Sequence, residues 1–224
     1  MQTVLITGIS QGIGKALAKT FLEKGFYVVG TSVSGEVDFS HEYLEIIPLD
    51  LSSSQSIGAA TKHVADSGRK ADIVIHNAGV LLDEEETTLI PEKLRQTLEV
   101  NLVGTADVME RLVPFLARGA HAIFISSTAG SLERTGHLLS HYPGHYPAYK
   151  ISKAALNMYM RTLAMRLTDS GYTVSSVHPG WVRTDMGGMD ADLSPEEAAA
   201  DIYDFAITRP ETGFFWFKSK KIDW

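Results

Sequence analysis

Short runs of consecutive apolar residues alternate with longer stretches of helical period along the whole chain. The strand-like runs are Val4–Thr7, Tyr27–Thr31, Leu44–Leu49, Ile73–His76, Ala122–Ser126 and Thr173–His178. Several are apolar at adjacent positions, as expected of strands covered on both faces in a parallel sheet. Between them lie segments long enough for helical crossovers: Gly12–Lys24, Ser52–Ser67, Glu92–Ala117 and Tyr149–Ser170. This alternation predicts an α/β fold, a single-domain Rossmann-type doubly wound parallel sheet flanked by helices on both faces.

Punctuation along the chain agrees with one domain over residues 1–224. There is no linker, repeat or low-complexity tract. Ser194-Pro195-Glu196-Glu197 reads as a helix start, with Ser as N-cap, Pro at the first helical position and Glu three residues after the cap. The acidic cluster Asp83-Glu84-Glu85-Glu86 reads as a solvated loop before Pro91, which opens the next helix. Phe214-Phe215-Trp216-Phe217 and Trp224 read as a last strand and a packed tail, with a subunit contact as the sharper alternative.

Bulk properties narrow the function class. Of 224 residues, 44% are hydrophobic and 21% charged, which is ordinary globular composition. A net charge of −7 supplies no basic field for a nucleic acid or an anionic membrane. The absence of cysteine excludes disulfides, thiolate metal sites and cysteine nucleophiles. No apolar run approaches the roughly 18 residues of a membrane span. The N-terminus goes directly into a strand-like run without the features of a signal peptide, so a cytoplasmic location is expected.

The first strand runs into Thr7-Gly8-Ile9-Ser10-Gln11-Gly12-Ile13-Gly14, and a helical pattern follows at once. Glycines at such a junction let backbone N–H groups approach a pyrophosphate, and the helix N-terminus adds positive dipole. Gly14 can also permit close contact between helix and strand. The spacing is G-x-x-x-G-x-G, not the commoner G-x-G-x-x-G. A ligand-free glycine turn is the bland alternative, and the position at the first strand–helix junction argues against it.

Thr7-Gly8-x-x-x-Gly12-Ile13-Gly14 resembles the cofactor signature of the short-chain dehydrogenase/reductase family, and further matches follow in that family's order. Asp50 and Leu51 end the third strand, where the family's Asp contacts adenine. His76-Asn77-Ala78-Gly79 resembles its N-N-A-G motif, with His in place of the first Asn. Asn101 lies where the family keeps an Asn at a helix distortion. Ile125-Ser126-Ser127-Thr128-Ala129-Gly130 resembles I-S-S-x-x-G, with Ser127 as the catalytic serine. Tyr149-Lys150-Ile151-Ser152-Lys153 matches Y-x-x-S-K, and Pro179-Gly180 follows the sixth strand. Within the family, His178–Gly188 and the short tail resemble the C-factor and sniffer-type carbonyl reductase subgroup.

The resemblance implies an NAD(P)-dependent oxidoreductase moving a hydride between nicotinamide and a carbonyl or alcohol. A dinucleotide-binding regulatory protein of the C-factor type is the alternative, and an intact Ser127, Tyr149 and Lys153 favours the enzyme. A free phenol, with a pKa of about 10, is a poor acid–base catalyst at neutral pH. Lys153, four positions after Tyr149, shares its helix face, and an ammonium there stabilises phenolate. The resemblance gives Lys153 a hydrogen bond to the nicotinamide ribose, Ser127 the substrate oxygen, and Asn101 a water in a proton relay. The cofactor supplies the hydride, and Thr7, Gly8, Ser10, Gln11, Gly12, Ile13, Gly14, Ser32, Asp50, Leu51, Asn77, Ala78, Gly79, Tyr149 and Lys153 line its path. The resemblance also implies that Pro179, Gly180 and Val182 frame the nicotinamide and that Thr184 reaches its carboxamide or the pyrophosphate. The implied partners are a small carbonyl or alcohol and, through the long helices, a second copy of the chain as a dimer or tetramer.

The end of the second strand, Gly30-Thr31-Ser32-Val33-Ser34, has neither the acid that selects NAD(H) nor the Arg expected for a 2′-phosphate. Glu36 and Asp38 just beyond read as loop charges. This favours NADP(H) over NAD(H), with hydroxyls of Thr31, Ser32 or Ser34 near the phosphate. Two loops are expected on the substrate side, at about 131–147 and 181–193. Ser127 and Tyr149 are 22 residues apart, against a little over a dozen in the family, so Leu132–Pro147 carries an insertion beside the active centre. Trp181–Leu193, with Met186, Gly187, Gly188 and Met189, reads as a mobile, partly apolar lid. His137, His141 and His145 are spaced like metal ligands, but Pro143 and Gly144 interrupt any helix there, so a polar loop without metal is preferred. Tyr146 and Lys150 also satisfy Y-x-x-x-K. Pro147 drives the preceding residue away from helical geometry, which leaves Tyr149 and Lys153 as the pair on one regular face.

Overall fold

The structure, a computed structural model, describes residues 1–135 and 145–224. Its strands are β1 (Thr3–Ile6), β2 (Tyr27–Ser32), β3 (Leu44–Pro48), β4 (Ala71–His76), β5 (Leu116–Ile125), β6 (Thr173–Val177), β7 (Phe214–Phe217) and β8 (Lys220–Ile222). They form one eight-stranded sheet in the order β3-β2-β1-β4-β5-β6-β7-β8. All neighbours pair in parallel except β7 with β8, which form an antiparallel hairpin. The helices are α1 (Gly12–Glu23), α2 (Ser54–Asp66), α3 (Pro91–Leu98), α4 (Thr105–Leu112), α5 (Leu132–Thr135), α6 (Pro147–Arg166) and α7 (Pro195–Ala206). Among the described residues, no helix is long and apolar enough to cross a membrane.

Alternate side chains of each strand point to opposite faces, so the consecutive apolar runs feed two cores. On one face Leu5, Val29, Val74, Phe124 and Val174 pack with Ile57 and Val64 of α2, Val108 and Leu112 of α4, and Leu156 and Met160 of α6. On the other, Val4, Ile6, Val28, Ile75 and Ile123 pack with Leu17 and Phe21 of α1 and Ile202 and Phe205 of α7. Phe21, Phe124 and Phe215 are wholly buried, each contributing about 2–3 kcal/mol on burial. Packing of this size, more than helix propensity, holds the layers together. Strand order reverses between β1 and β4, which opens a crevice at the carboxyl ends of the strands.

The Glu92–Ala117 crossover is broken at Asn101, where the resemblance implies a helix distortion: α3 passes into a π-helical segment at Glu99–Gly104, then α4, a 3-10 turn at Val113–Phe115, and β5 from Leu116. A Cβ at Gly104 would stand 1.9 Å from the Leu51 carbonyl oxygen, so only glycine lets this segment close on the β3–α2 loop. α6 begins at Pro147, where a proline suits a first helical turn, and runs to Arg166, with a 3-10 turn following at Thr168–Ser170. Asp83 is not solvated but 2% exposed. Finally, Trp181–Leu193 is closely stitched: Trp181 Nε1 donates to the Gly187 carbonyl at 2.7 Å, Arg183 to those of Ala191 and Asp192, and Val182 bridges to Leu193.

Phe214–Phe217 forms a strand as read, though β8 rather than β7 is the last, and the tail is packed. Trp224 stacks on Phe215, with ring centroids 5.6 Å apart, and its carbonyl accepts from the Glu133 N–H. Ser194 and Glu197 form the capping box read from the sequence.

Candidate active site

Between β1 and α1 the chain turns through Gly8 (φ +73°) and Gly12 (φ +54°), left-handed conformations that favour glycine. A Cβ on Gly14 would lie 2.0 Å from the Gly8 carbonyl oxygen and 2.5 Å from Asn77 Nδ2. Gln11 caps α1 without a side-chain hydrogen bond and no acid sits in the first turn, so this N-terminus is open to an anion. Thr7 and Asn77 serve as braces here. Thr7 Oγ1 accepts from the N–H groups of Asn77 and Ala78, at 3.0 and 3.1 Å. Asn77 Nδ2 donates to the Thr7 and Gly8 carbonyls, both at 3.1 Å. The ends of β1 and β4 are thereby locked side by side at the crevice.

Toward the expected adenosine end, two hydroxyls named for a 2′-phosphate are committed inward. Thr31 Oγ1 accepts from the Gly8 N–H at 3.3 Å, and Ser32 Oγ donates to the Glu36 carbonyl at 3.0 Å. Both residues are buried, while Ser34 is exposed. Lys15 Nζ reaches across from α1 to pair with Asp38 at 2.6 Å. Asp50 Oδ1 accepts from Ser52 Oγ and N–H, hydrogen bonds that hold its carboxyl below the usual range. Leu51 is buried, its carbonyl facing Gly104.

The central cluster gathers from three elements. Tyr149 and Lys153 lie one helical turn apart on α6, with Lys153 Nζ 5.6 Å from the Tyr149 ring centroid. Lys153 is 5% exposed, donates to the Ile125 carbonyl at 2.9 Å, and burial pushes its pKa down to about 8. It therefore remains an ammonium at neutral pH. Ser127 follows β5, and its Oγ accepts from the Ala129 N–H at 3.1 Å in a one-turn 3-10 helix. A Cβ on Gly130 would be 2.6 Å from the backbone of Lys153 and Ala154, so this glycine lets the serine turn close against α6.

Asn101 sits in the π-helical segment, 1% exposed, and joins the β4 loop to α6. Its Oδ1 accepts from the Val80 N–H at 2.8 Å, and its Nδ2 donates to the Val80 carbonyl at 2.9 Å and to Ser152 Oγ at 3.0 Å. Ser152 Oγ in turn donates to the Tyr149 carbonyl at 2.8 Å. A Cβ on Gly79 would fall 3.1 Å from Asn101 Oδ1 and 3.6 Å from Lys153 Nζ.

The loop after β6 forms the remaining wall. Gly180 has φ +90° and Val182 is buried. The Thr184 methyl comes within 3.1 Å of the place a Gly12 Cβ would take, and Gln11 Nε2 donates to Asp185 at 3.0 Å. Thr184 Oγ1 accepts from the Gly187 N–H at 3.1 Å. Trp181, Met186 and Met189 keep exposed surface on this loop. Ser10 is exposed in the turn before α1, and Ile13 and Pro179 are half-buried. Most of the insertion after Leu132, with His137 and His141, lies outside the described residues.

Sequence reasoning missed Asp83, whose carboxylate accepts from the Ala148 N–H at 2.6 Å, and Ser152, which couples Asn101 to α6. A tyrosine at the N-cap and a proline without an N–H after it signal a helix start that needs an outside acceptor, but nothing local names Asp83 as that acceptor. Tyr146 stands outside regular helix as expected, in a left-handed conformation (φ 51°, ψ 53°).

The short chain dehydrogenase family model matches residues 2–193. A 1-hydroxy-2-glutathionyl-2-methyl-3-butene dehydrogenase of Rhodococcus sp. is 30% identical over 207 residues, covering 90% of this chain and 89% of the relative. The NADPH-bound carbonyl reductase from chicken fatty liver superposes with a TM-score of 0.90 at 26% identity, covering 100% of this chain and 94% of that one. The carbonyl reductase Sniffer of D. melanogaster gives a TM-score of 0.85 at 25% identity, with both chains covered completely.

Proposed function

Because the chain belongs to the short-chain dehydrogenase family, we propose that it reduces a carbonyl group on a small molecule, using NADP(H) in preference to NAD(H). The observation that carries this reading is the buried Lys153 ammonium behind the Tyr149 ring, on a helix joined through Ser152 and Asn101 to the crevice.

The residues fit a dinucleotide. Gly8 and Gly14 leave a cradle that a Cβ would fill, and the first turn of α1 has no capping side chain. Ser10 through Gly14 would hold the pyrophosphate, the backbone at Ser32 with Asp50 and Leu51 the adenosine side, and Asn77, Ala78 and Gly79 the path to the nicotinamide. Pro179, Gly180, Val182 and Thr184 would border the nicotinamide, with Lys153 on its ribose. When bound, the cofactor supplies the hydride.

This chain's residues handle the proton and the oxygen. Ser127 Oγ donates a hydrogen bond to the substrate carbonyl oxygen and orients it. Tyr149 transfers its phenolic proton to that oxygen as it gains charge, which leaves an alcohol and a phenolate. Lys153 stabilises the phenolate until a solvent proton restores it. Asn101 anchors the proton path behind Lys153 through Val80 and Ser152.

The NADP(H) preference rests on the absence of an acid at the end of β2, on Lys15 nearby, and on the engagement of Asp38 with that lysine. A dimer or tetramer in the cytoplasm completes the reading, with Val103, Ile151, Met158 and Met165 offering exposed apolar surface. Oxidation of NADPH and NADH with aldehydes, ketones and quinones tests it, alongside titration of both cofactors. Turnover that vanishes in Tyr149→Phe while NADPH still binds is expected. Tighter NADH would overturn the cofactor preference. Persistent inactivity with tight cofactor binding would favour the regulatory alternative.

A further inference from the structure

We propose that Asp83 is a positioning residue for Tyr149, acting as a tertiary N-cap for the helix that carries it. The inference rests on the proton-donor role given to Tyr149 above.

Helix α6 starts without the usual means of satisfying its first N–H groups. Its N-cap is Tyr146, which makes no side-chain capping bond, and Pro147 has no N–H to donate. Lys150 N–H already reaches the Tyr146 carbonyl at 3.0 Å. The donors that remain in the first turn are those of Ala148 and Tyr149. Asp83, 65 residues before Ala148, supplies both acceptors: Oδ2 takes the Ala148 N–H at 2.6 Å, and Oδ1 faces the Tyr149 N–H at 3.4 Å.

The carboxylate is itself fixed. Asp83 is 2% exposed, and its carbonyl accepts from the Glu86 N–H at 3.1 Å. The Glu86 carbonyl then accepts from the Tyr146 N–H at 3.0 Å, and the Glu86 side chain pairs with Lys93 of α3 at 2.7 Å. The segment thus holds the chain on both sides of Pro147, one contact at Tyr146 and two at the first turn. An anion at the N-terminus of a 20-residue helix is also favoured by the helix dipole. Because one Asp83 oxygen lies on the backbone of Tyr149, loss of the cap shifts the phenol relative to Lys153 and Ser127 while leaving the glycine cradle untouched.

The test compares wild type, Asp83→Asn, Asp83→Ala and Tyr149→Phe on a carbonyl that wild type reduces. Readouts are kcat, KM, the NADPH dissociation constant and amide hydrogen exchange across the first turn of α6. Asp83→Ala should lower kcat by about 10- to 100-fold, with NADPH affinity within about twofold and faster exchange at Ala148 and Tyr149. Asp83→Asn keeps one acceptor oxygen and should recover much of kcat. If Asp83→Ala does not fold, Asp83→Asn alone decides: an intermediate kcat with locally raised exchange supports the inference, and a wild-type kcat overturns it. Wild-type kcat in both variants would likewise overturn it, as would a kcat loss matched by an equal loss of NADPH affinity. An active Tyr149→Phe would instead sink the functional reading on which it rests.

Discussion

Acid should unfold this protein through two buried histidines, His76 and His121, and a half-buried third, His178. His76 stacks on Phe124, with ring centroids 4.7 Å apart, its Nε2 meets Met109 sulfur at 3.3 Å, and its Nδ1 has no hydrogen-bond partner among the described residues. His121 lies between the Ala206 carbonyl and Ser175 Oγ, and His178 packs on Phe217 with Nδ1 unpartnered among the described residues. Burial pushes His76 down to about 3, and His121 and His178 to about 4, with Arg134 adding to the effect at His178. Each folded value lies below the unfolded value of about 6.5. The unfolded chain therefore binds more protons in the window between, and stability is complete above 6.5 and declines as pH falls toward the folded values. At pH 5 each histidine has removed about 2 kcal/mol, about 6 kcal/mol for the three. That is comparable to the whole stability of many domains, roughly 5–15 kcal/mol. Urea unfolding followed by tryptophan fluorescence at pH 7.5 and 5.0 measures the loss. His76→Phe isolates one share, because a phenyl ring keeps the stack and leaves no polar atom unmet. Its loss of stability between the two pH values should be smaller than that of wild type by about 2 kcal/mol. A wild-type pH dependence in that variant would refute the assignment of a neutral, buried His76.

Three further outcomes are expected. Gly14→Ala places a Cβ 2.0 Å from the Gly8 carbonyl oxygen, so NADPH affinity should fall at least about tenfold by titration. Lys153→Met should impair both turnover and cofactor binding. Since burial lowers that ammonium to about 8, wild type loses stability as pH falls from about 10.5 to 8, and the variant should gain about 3 kcal/mol relative to it across that window in urea unfolding. Tyr146→Phe should retain turnover where Tyr149→Phe does not, and the reverse result in steady-state kinetics would make Tyr146 the proton donor.

What the sequence determined by itself was everything written in local period or local sterics. Consecutive apolar positions announced a sheet covered on both faces. The glycine turn followed from its place between a strand and a helix, and Pro147 separated Tyr149–Lys153 from the neighbouring pair because a proline restricts the residue before it. Ser194 and Glu197 announced their own capping box. Each of these rests on residues within about one helical turn of one another. Tertiary structure decided the rest, because the partner lies far away in the chain. The resemblance placed a helix distortion at Asn101, but only the fold shows what accompanies it, the approach of Gly104 to the Leu51 carbonyl. Thr31 and Ser32 looked like free hydroxyls until packing aimed them at Gly8 and Glu36. Asp83 looked like one of four solvated acids, yet it is the one carried to a helix start 65 residues later, where two first-turn N–H groups make a buried carboxylate favourable.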